Sequence, residues 1–467
     1  MKTRLERDSI GSKEVPADAY YGVQTIRCAE NFDITGCRID KLFINSMAKV
    51  KKAAAAANLG AGEISQEMHN AITAACDEII SGKFDDQFII DPVQGGAGTS
   101  MNMNINEVIA NRAGEILGGE LGQYDKVHPN DHVNCGQSTN DVIPTAGKIT
   151  ALLYLRELTH ELELLLSAFE DKSKEFDDVV KMGRTHMQDA VPVRLGQEFR
   201  AYASVIARDI SRLDASSREL FALNLGGTAI GTGLNASCRY FESVVPALAA
   251  LTGLLLTQSP DLIDATQHLD CFSAVSSALR TCAVNLSKIS SDLRLMSSGP
   301  RCGFGEINLP AVQSGSSIMP GKINPVIPDV VNQVAFNVIG NDVTITMAVE
   351  AAQLELNAFG PVIYYNLFES IRNLTGAAKT LNHNCVSGIT ANREHCRDMV
   401  ENSVGIITPL AVHIGYDKAA ELAKRATETG ESVRALLLGE GAFTPEQIDE
   451  MLDIYAMTEL RSQAAPG

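Results

Sequence analysis

Four polar loops, far apart in sequence, offer small hydroxyl and amide groups that together could grip a small anion. They are Gly98-Thr99-Ser100, Gln137-Ser138-Thr139-Asn140, Gly183-Arg184-Thr185-His186 and the stretch GSSIMPGKINP at 315–325. Each combines hydroxyl or amide groups with glycine, or sits beside it, and a missing Cβ lets backbone amides approach a ligand. Taken singly, each would more often be a turn or a helix cap than a site. Together they offer many neutral donors, one histidine and one lysine, Lys322, a set suited to holding carboxylates.

Other motifs fail on spacing. Between Gly315 and Gly321 lie five residues rather than the four of a phosphate loop, and Ile323 stands where that loop needs Ser or Thr. The glycines at 226, 227, 231 and 233 do not form a dinucleotide fingerprint, and no strand pattern precedes them, so a tight loop is expected there. His160-Glu161 opens a zinc motif that Leu164 closes off. No metal site can be built from spacing. His128-Pro129-Asn130-Asp131 reads either as an anion site or as a helix cap through Asn130 or Asp131, and His395-Cys396 reads as structural.

The elements that must position these segments are helices. Val275, Leu279, Cys282, Leu286, Ile289, Leu293 and Met296 alternate steps of four and three, the period of helices packed nearly parallel. The same spacing runs through Leu155, Leu158, Leu162, Leu165 and Phe169, through Phe199, Tyr202, Ile206, Ile210 and Leu213, and through Leu367, Ile371, Leu374, Ala378 and Leu381. From Val326 to Asn357 the chain is apolar on most faces, which implies burial by partner subunits as well as by its own bundle. The expected fold class is mainly α. Its expected parts are an N-terminal region of short helices and turns (1–140), a long-helix middle (141–395) and a small helical tail (396–467). Thr444-Pro445-Glu446-Gln447 reads as a helix start in that tail.

Composition narrows the function. Among 467 residues, 39 Lys plus Arg face 57 Asp plus Glu, a net charge of −18, with 45% hydrophobic residues. That length is roughly three domains' worth and excludes disorder as a whole. A diffuse acidic excess without a basic stripe argues against nucleic acid and against membrane surfaces. There is no apolar leader and no apolar run of bilayer length, so a cytoplasmic, soluble chain is expected. Ten scattered cysteines without a Cys-x-x-Cys pair fit reduced, mostly buried thiols.

GSSIMPGKINP closely resembles the signature of the aspartase/fumarase superfamily. The resemblance extends over nearly the whole chain, through VPADAYYGVQT at 15–25, GTSMNMN at 98–104, NLGGTAIGTG at 224–233 and GITAN at 388–392. Two places resemble the aspartase branch rather than the fumarase branch: Thr139, where fumarases carry a second Ser, and the run from Pro325 to Gln333. Two departures stand beside them. His128 to Asp131 is similar to the secondary anion site of fumarases, and Gly136 replaces the Ser or Cys usual before the glutamine.

The resemblance implies three mostly helical domains with a central five-helix bundle. It also implies a homotetramer with a twenty-helix core, in which three subunits build each active site. The activity it implies is reversible deamination of L-aspartate to fumarate and ammonia. The alternatives are fumarate hydratase or another fumarate-forming lyase, and the structural role of the related lens crystallins. Carried over by position, Ser138, Thr139 and Ser317 would bind the β-carboxylate, with Thr99 shared between it and the amino group. Asn140 and His186 would complete amino-group binding, and Thr185, Lys322 and Asn324 would hold the α-carboxylate. Ser316 would be the base, on a loop that closes over substrate, with His186 as the competing candidate. No cofactor is implied as a requirement, while a divalent cation such as Mg2+ is left room as an activator.

Overall fold

Helices begin where the chain supplies caps. Asp40 accepts from the amides of Leu42 and Phe43, Ser65 from Met68, Ser237 from Tyr240 and Ser432 from Ala435. Thr444 and Gln447 form a reciprocal capping box with Pro445 at the first helical position. The computed structural model describes residues 2–459.

The described residues form a mainly helical chain. An N-terminal hairpin, β1 (Thr3–Asp8) and β2 (Gly11–Pro16), precedes α1 (Val23–Asn31), α2 (Lys41–Ala61), α3 (Gln66–Ile80) and α4 (Thr99–Ile116). Then come α5 (Thr139–Glu175), a second hairpin of β3 (Val180–Thr185) and β4 (Gln188–Arg194), α6 (Leu195–Ser217), α7 (Cys238–Thr252) and α8 (Asp264–Gln267). After α9 (Asp270–Met296), α10 (Val326–Glu350) and α11 (Gly360–Asn384), the short helices α12 (Arg393–Glu401) to α16 (Pro445–Met451) end the described chain. No helix among the described residues is long and apolar enough to cross a membrane.

The chain divides into two compact units, and the five long helices α5, α6, α9, α10 and α11 contribute residues to both. Unit 1 comprises 1–159, 211–281 and 337–374. Its centre is α2, packed on α3 and α7. The alanine run explains the closeness: Ala53, Ala54, Ala55 and Ala57 are all buried, and small side chains let helices approach. Phe43 of α2 meets Tyr364 and Phe368 of α11, each with ring centroids 5.5 Å away, and Phe368 lies 6.0 Å from Tyr154 of α5.

Unit 2 comprises 160–210, 282–336 and 375–467. Phe169 of α5 and Phe176, the residue just after that helix, pack on Phe199 of α6 at 6.0 and 5.3 Å. Asn285 of α9 donates to both carboxylate oxygens of Asp209 on α6, and Asn332 of α10 donates to Ser287 Oγ of α9 at 2.8 Å. A separate core of Val400, Leu410, Leu422, Leu436 and Ile448 gathers the terminal helices against Met182 of β3.

The 3.5-residue pattern of α9 is buried at every position from Val275 to Met296, as is that of Leu155 to Phe169. All ten cysteines are free, six of them buried. Three expectations need correction. The chain before residue 140 is not only short pieces, since α2 and α4 are 21 and 18 residues long. Gly183 to Thr185 is strand, not loop, because β3 pairs antiparallel with β4 out to Thr185 and Gln188, with a bulge between Met182 and Arg184. The apolar stretch after Val326 is helical only to Glu350, and in the single chain Phe336, Val343 and Met347 are more than half exposed.

Candidate active site

In unit 1 two of the supposed loops are the first turns of helices. Thr99 is the first residue of α4, and Ser138 caps α5 by accepting from the amide of Asn140 at 3.2 Å. Gly98, at φ +88°, has its vacant Cβ position only 3.1 Å from Ile143 of α5, so a larger residue would push the two helix starts apart. Helix N-termini carry unpaired amides and a partial positive charge, which suits an anion.

A buried polar network backs these starts. Asn102, one turn into α4, donates to Thr139 Oγ1 at 3.3 Å and to Asn134 Oδ1 at 3.1 Å. Lys51 of α2, with no solvent exposure, donates to Asn134 Oδ1 at 2.9 Å and to Gln137 Oε1 at 3.0 Å. Burial pushes its ammonium down to about 7, while the carboxylate of Asp141 pulls the other way. Asp141 is also fully buried. It accepts from the amides of Ser138, Gly226 and Thr228 at 2.9 to 3.0 Å. Asn140 donates to the carbonyl of Ala229 at 2.7 Å. Unit 1 thus brings together Thr99, Ser138, Thr139 and Asn140. Thr139 is buried, Ser138 and Asn140 half-buried, and Thr99 exposed.

In unit 2, Thr185 pairs with Gln188 across a two-residue turn of His186 and Met187, both left-handed at φ 54° and 63°. That conformation matches the twist of a hairpin but strains a residue with a Cβ, and it leaves His186 exposed at the tip. The stem is anchored by Glu306, which is fully buried. It pairs with Arg184 at 2.5 Å and Lys181 at 3.1 Å, and the Arg184 guanidinium stacks on Phe304.

The 315–325 loop closes on itself. Gly315 donates its amide to the carbonyl of Lys322 at 2.9 Å, and Asn324 Nδ2 donates to the carbonyl of Gly315 at 2.5 Å. A Cβ on Gly315 would lie 2.4 Å from that Lys322 oxygen, so only glycine permits the closure. Inside it, Ser316 Oγ accepts from the amides of Ile318 at 3.2 Å and Met319 at 3.0 Å. Ser316 and Asn324 are half-buried, while Ser317 and Lys322 are exposed. No hydrogen bond joins this loop to the hairpin tip among the described residues.

His128 caps a five-residue turn, Pro129–Val133. Its Nδ1 accepts from the amides of Asn130 at 3.3 Å and Asp131 at 3.2 Å, so the capping side chain is the histidine and not Asn130 or Asp131. Asp131 lies 3.3 Å from the same nitrogen. His395 binds the carbonyl of Phe304, and the 224–233 stretch is a tight loop, with Gly226, Gly231 and Gly233 at positive φ. Among the described residues no three His, Cys, Asp or Glu side chains converge on a metal-sized site.

Sequence reading missed Asn102, Asp141 and Lys51. Asn102 had a signal, since it lies three residues after Thr99 on one helix face. Asp141 also had one: Ser138 followed three residues later by Asp is a capping-box pattern. Lys51 sits in a lysine-rich run that reads as a solvated face.

The family model described as lyase matches residues 11–340, and that described as fumarase C C-terminus matches 406–459. An aspartate ammonia-lyase from Bacillus sp is 54% identical over 455 residues, covering 97% of each chain. A solved structure of a Brucella melitensis protein, titled fumarate lyase:delta crystallin and bound to cobalt, superposes with a TM-score of 0.95. It is 48% identical and covers 98% of this chain and 100% of that one. The class II fumarase of Schistosoma mansoni superposes with a TM-score of 0.94 at 35% identity, covering 98% and 99%.

Proposed function

The chain belongs to the aspartase/fumarase superfamily of lyases, and on that footing we propose that it is a carbon-nitrogen lyase converting L-aspartate reversibly to fumarate and ammonia. The 54% identity to an aspartate ammonia-lyase over nearly the whole chain, against 35% to a fumarase, supports deamination over hydration.

The chemical difficulty is removal of a Cβ proton of very low acidity, which turns the β-carboxylate into an enediolate dianion. The observation that carries the reading is the setting of Ser316, whose Oγ accepts from two backbone amides. Two amide donors favour an alkoxide over a hydroxyl, so they make the deprotonated, proton-accepting form of Ser316 accessible. The amides belong to Ile318 and Met319; Gly315 supplies the tight closure that aims them. Ser316, as the alkoxide, then takes the Cβ proton and becomes the hydroxyl. The electron pair left on Cβ spreads into the β-carboxylate as the enediolate, and its return forms the Cα–Cβ double bond as the C–N bond of the ammonium breaks and neutral ammonia leaves. Thr99, Ser138, Thr139 and Ser317 face the growing charge with fixed dipoles, which is where electrostatic preorganisation acts most strongly. Asn140 and His186 hold the amino group, and Thr185, Lys322 and Asn324 hold the α-carboxylate. No step draws on a cofactor.

We also propose a homotetramer, supported by the exposed apolar residues Phe336, Val343 and Met347 along α10. In that assembly the Thr99 and Ser138–Asn140 group of one copy meets the hairpin tip and the 315–325 loop of others. A reducing, cytoplasmic setting is supported by the ten free thiols. The test of function is direct: ultraviolet absorbance of fumarate should rise with L-aspartate alone. Faster turnover of L-malate in the same preparation would reassign the chain to the fumarases.

A further inference from the structure

We propose that Asp141 is a positioning residue that locks the carboxylate-binding turn Ser138–Asn140 to the 224–229 loop, an inference that rests on the function proposed above. Asp141 is the third residue of α5, and its Oδ1 accepts from the amide of Ser138 at 2.9 Å. That bond is half of a capping box, which many helix starts make. The second oxygen does what capping does not require. Asp141 Oδ2 accepts from the amides of Gly226 and Thr228, each at 3.0 Å and more than eighty residues away in sequence.

Both donors sit at positive φ, 93° for Gly226 and 55° for Thr228, and the threonine is strained there unless something holds it. A buried carboxylate accepting three amides does so. The same two segments exchange two further bonds, from Asn140 Nδ2 to the carbonyl of Ala229 at 2.7 Å and from Asn224 Nδ2 to the carbonyl of Asn140 at 3.0 Å. The first has a chemical consequence. With its NH2 directed at Ala229, Asn140 turns its oxygen, an acceptor, toward whatever the site binds, which is the polarity an ammonium group needs. The loop at 224–229 therefore sets which face Asn140 shows to substrate, and Asp141 sets the loop.

The test uses Asp141→Asn in the full-length protein, a change that keeps size and shape. Asparagine has one acceptor oxygen, so it can serve either the Ser138 amide or the Gly226 and Thr228 amides, and its NH2 opposes the other set. The folded variant should show KM for L-aspartate raised about tenfold or more, the scale of a lost buried polar contact. Its loss in kcat/KM should be less than additive with that of Ser138→Ala, because a misplaced Ser138 has less left to lose. A role in stability alone predicts a lower melting temperature with unchanged KM and full additivity, and that result would overturn the assignment. If Asp141→Asn does not fold, Asp141→Glu answers the same question, since it keeps the carboxylate but displaces it from the three amides; unchanged KM there overturns it equally. Should the unmodified protein release no fumarate from L-aspartate, the functional reading fails instead. Fumarate affinity by calorimetry then reads the same variants: weakened binding supports Asp141, and unchanged binding overturns it.

Discussion

Asn102 donates from Nδ2 to Thr139 Oγ1 at 3.3 Å and so ties the first turns of α4 and α5 together. An oxygen that already accepts one bond has its own proton free to point elsewhere, so the Thr139 hydroxyl can donate to a carboxylate bound at the two helix starts. Asn102→Ala should therefore raise KM for L-aspartate about tenfold while lowering kcat less, given the usual cost of a lost buried hydrogen bond. Steady-state kinetics by fumarate absorbance checks this. An unchanged KM would show that Thr139 is not held by Asn102 in the working enzyme.

Ser316→Ala removes the oxygen that two amides stabilise and leaves the loop closure of Gly315, Lys322 and Asn324 in place. Losing a general base typically costs about 10² to 10⁴ in rate, so kcat should fall by that much with fumarate affinity nearly kept. Exchange of the Cβ hydrogen with deuterium should disappear in this variant and persist in His186→Ala. The reverse pattern would make His186 the base.

Sharing of sites between copies can be measured by mixing. Ser138→Ala and Lys322→Ala are each expected to be nearly inactive. After denaturation and joint refolding, random assembly would leave about a quarter of sites with neither change if the two residues come from different chains. Light scattering should give the tetramer mass. No recovered activity, or a stable active monomer, would refute the composite site.

The pH dependence of stability should carry a mark of Glu107. Its carboxylate, buried on α4, accepts from the amides of Gly22, Gln24 and Thr25 and from the Thr25 hydroxyl. Burial outweighs these bonds and raises its pKa from 4.5 to about 7. A raised carboxyl means that the folded state holds a proton which the unfolded state has released. Its contribution is thus full below about 4.5 and is lost as pH rises to about 7. Glu107→Gln should flatten that part of the curve. Chemical denaturation of both proteins from pH 4.5 to 8 gives the difference, and parallel curves would contradict it.

Much of this protein is readable from its amino-acid order, because some properties depend only on near neighbours. The four-and-three spacing from Val275 to Met296 marks one face of a helix whatever lies opposite, and every one of those positions is buried. The capping box at Thr444 is complete within four residues. GSSIMPGKINP carries its chemistry in its own composition, down to the glycine without which the loop cannot close. What the order alone left undecided depends on partners far along the chain. Lys51 looks like its neighbour Lys52 in sequence, yet Lys51 has no exposure and binds Asn134 and Gln137, while Lys52 reaches out to Asp77. His128 is a cap because its ring faces the amides of Asn130 and Asp131, an orientation that spacing does not specify. Asp141 meets Gly226 and Thr228 only once the chain has folded, since desolvation and hydrogen-bond satisfaction are properties of the surroundings and not of the residue.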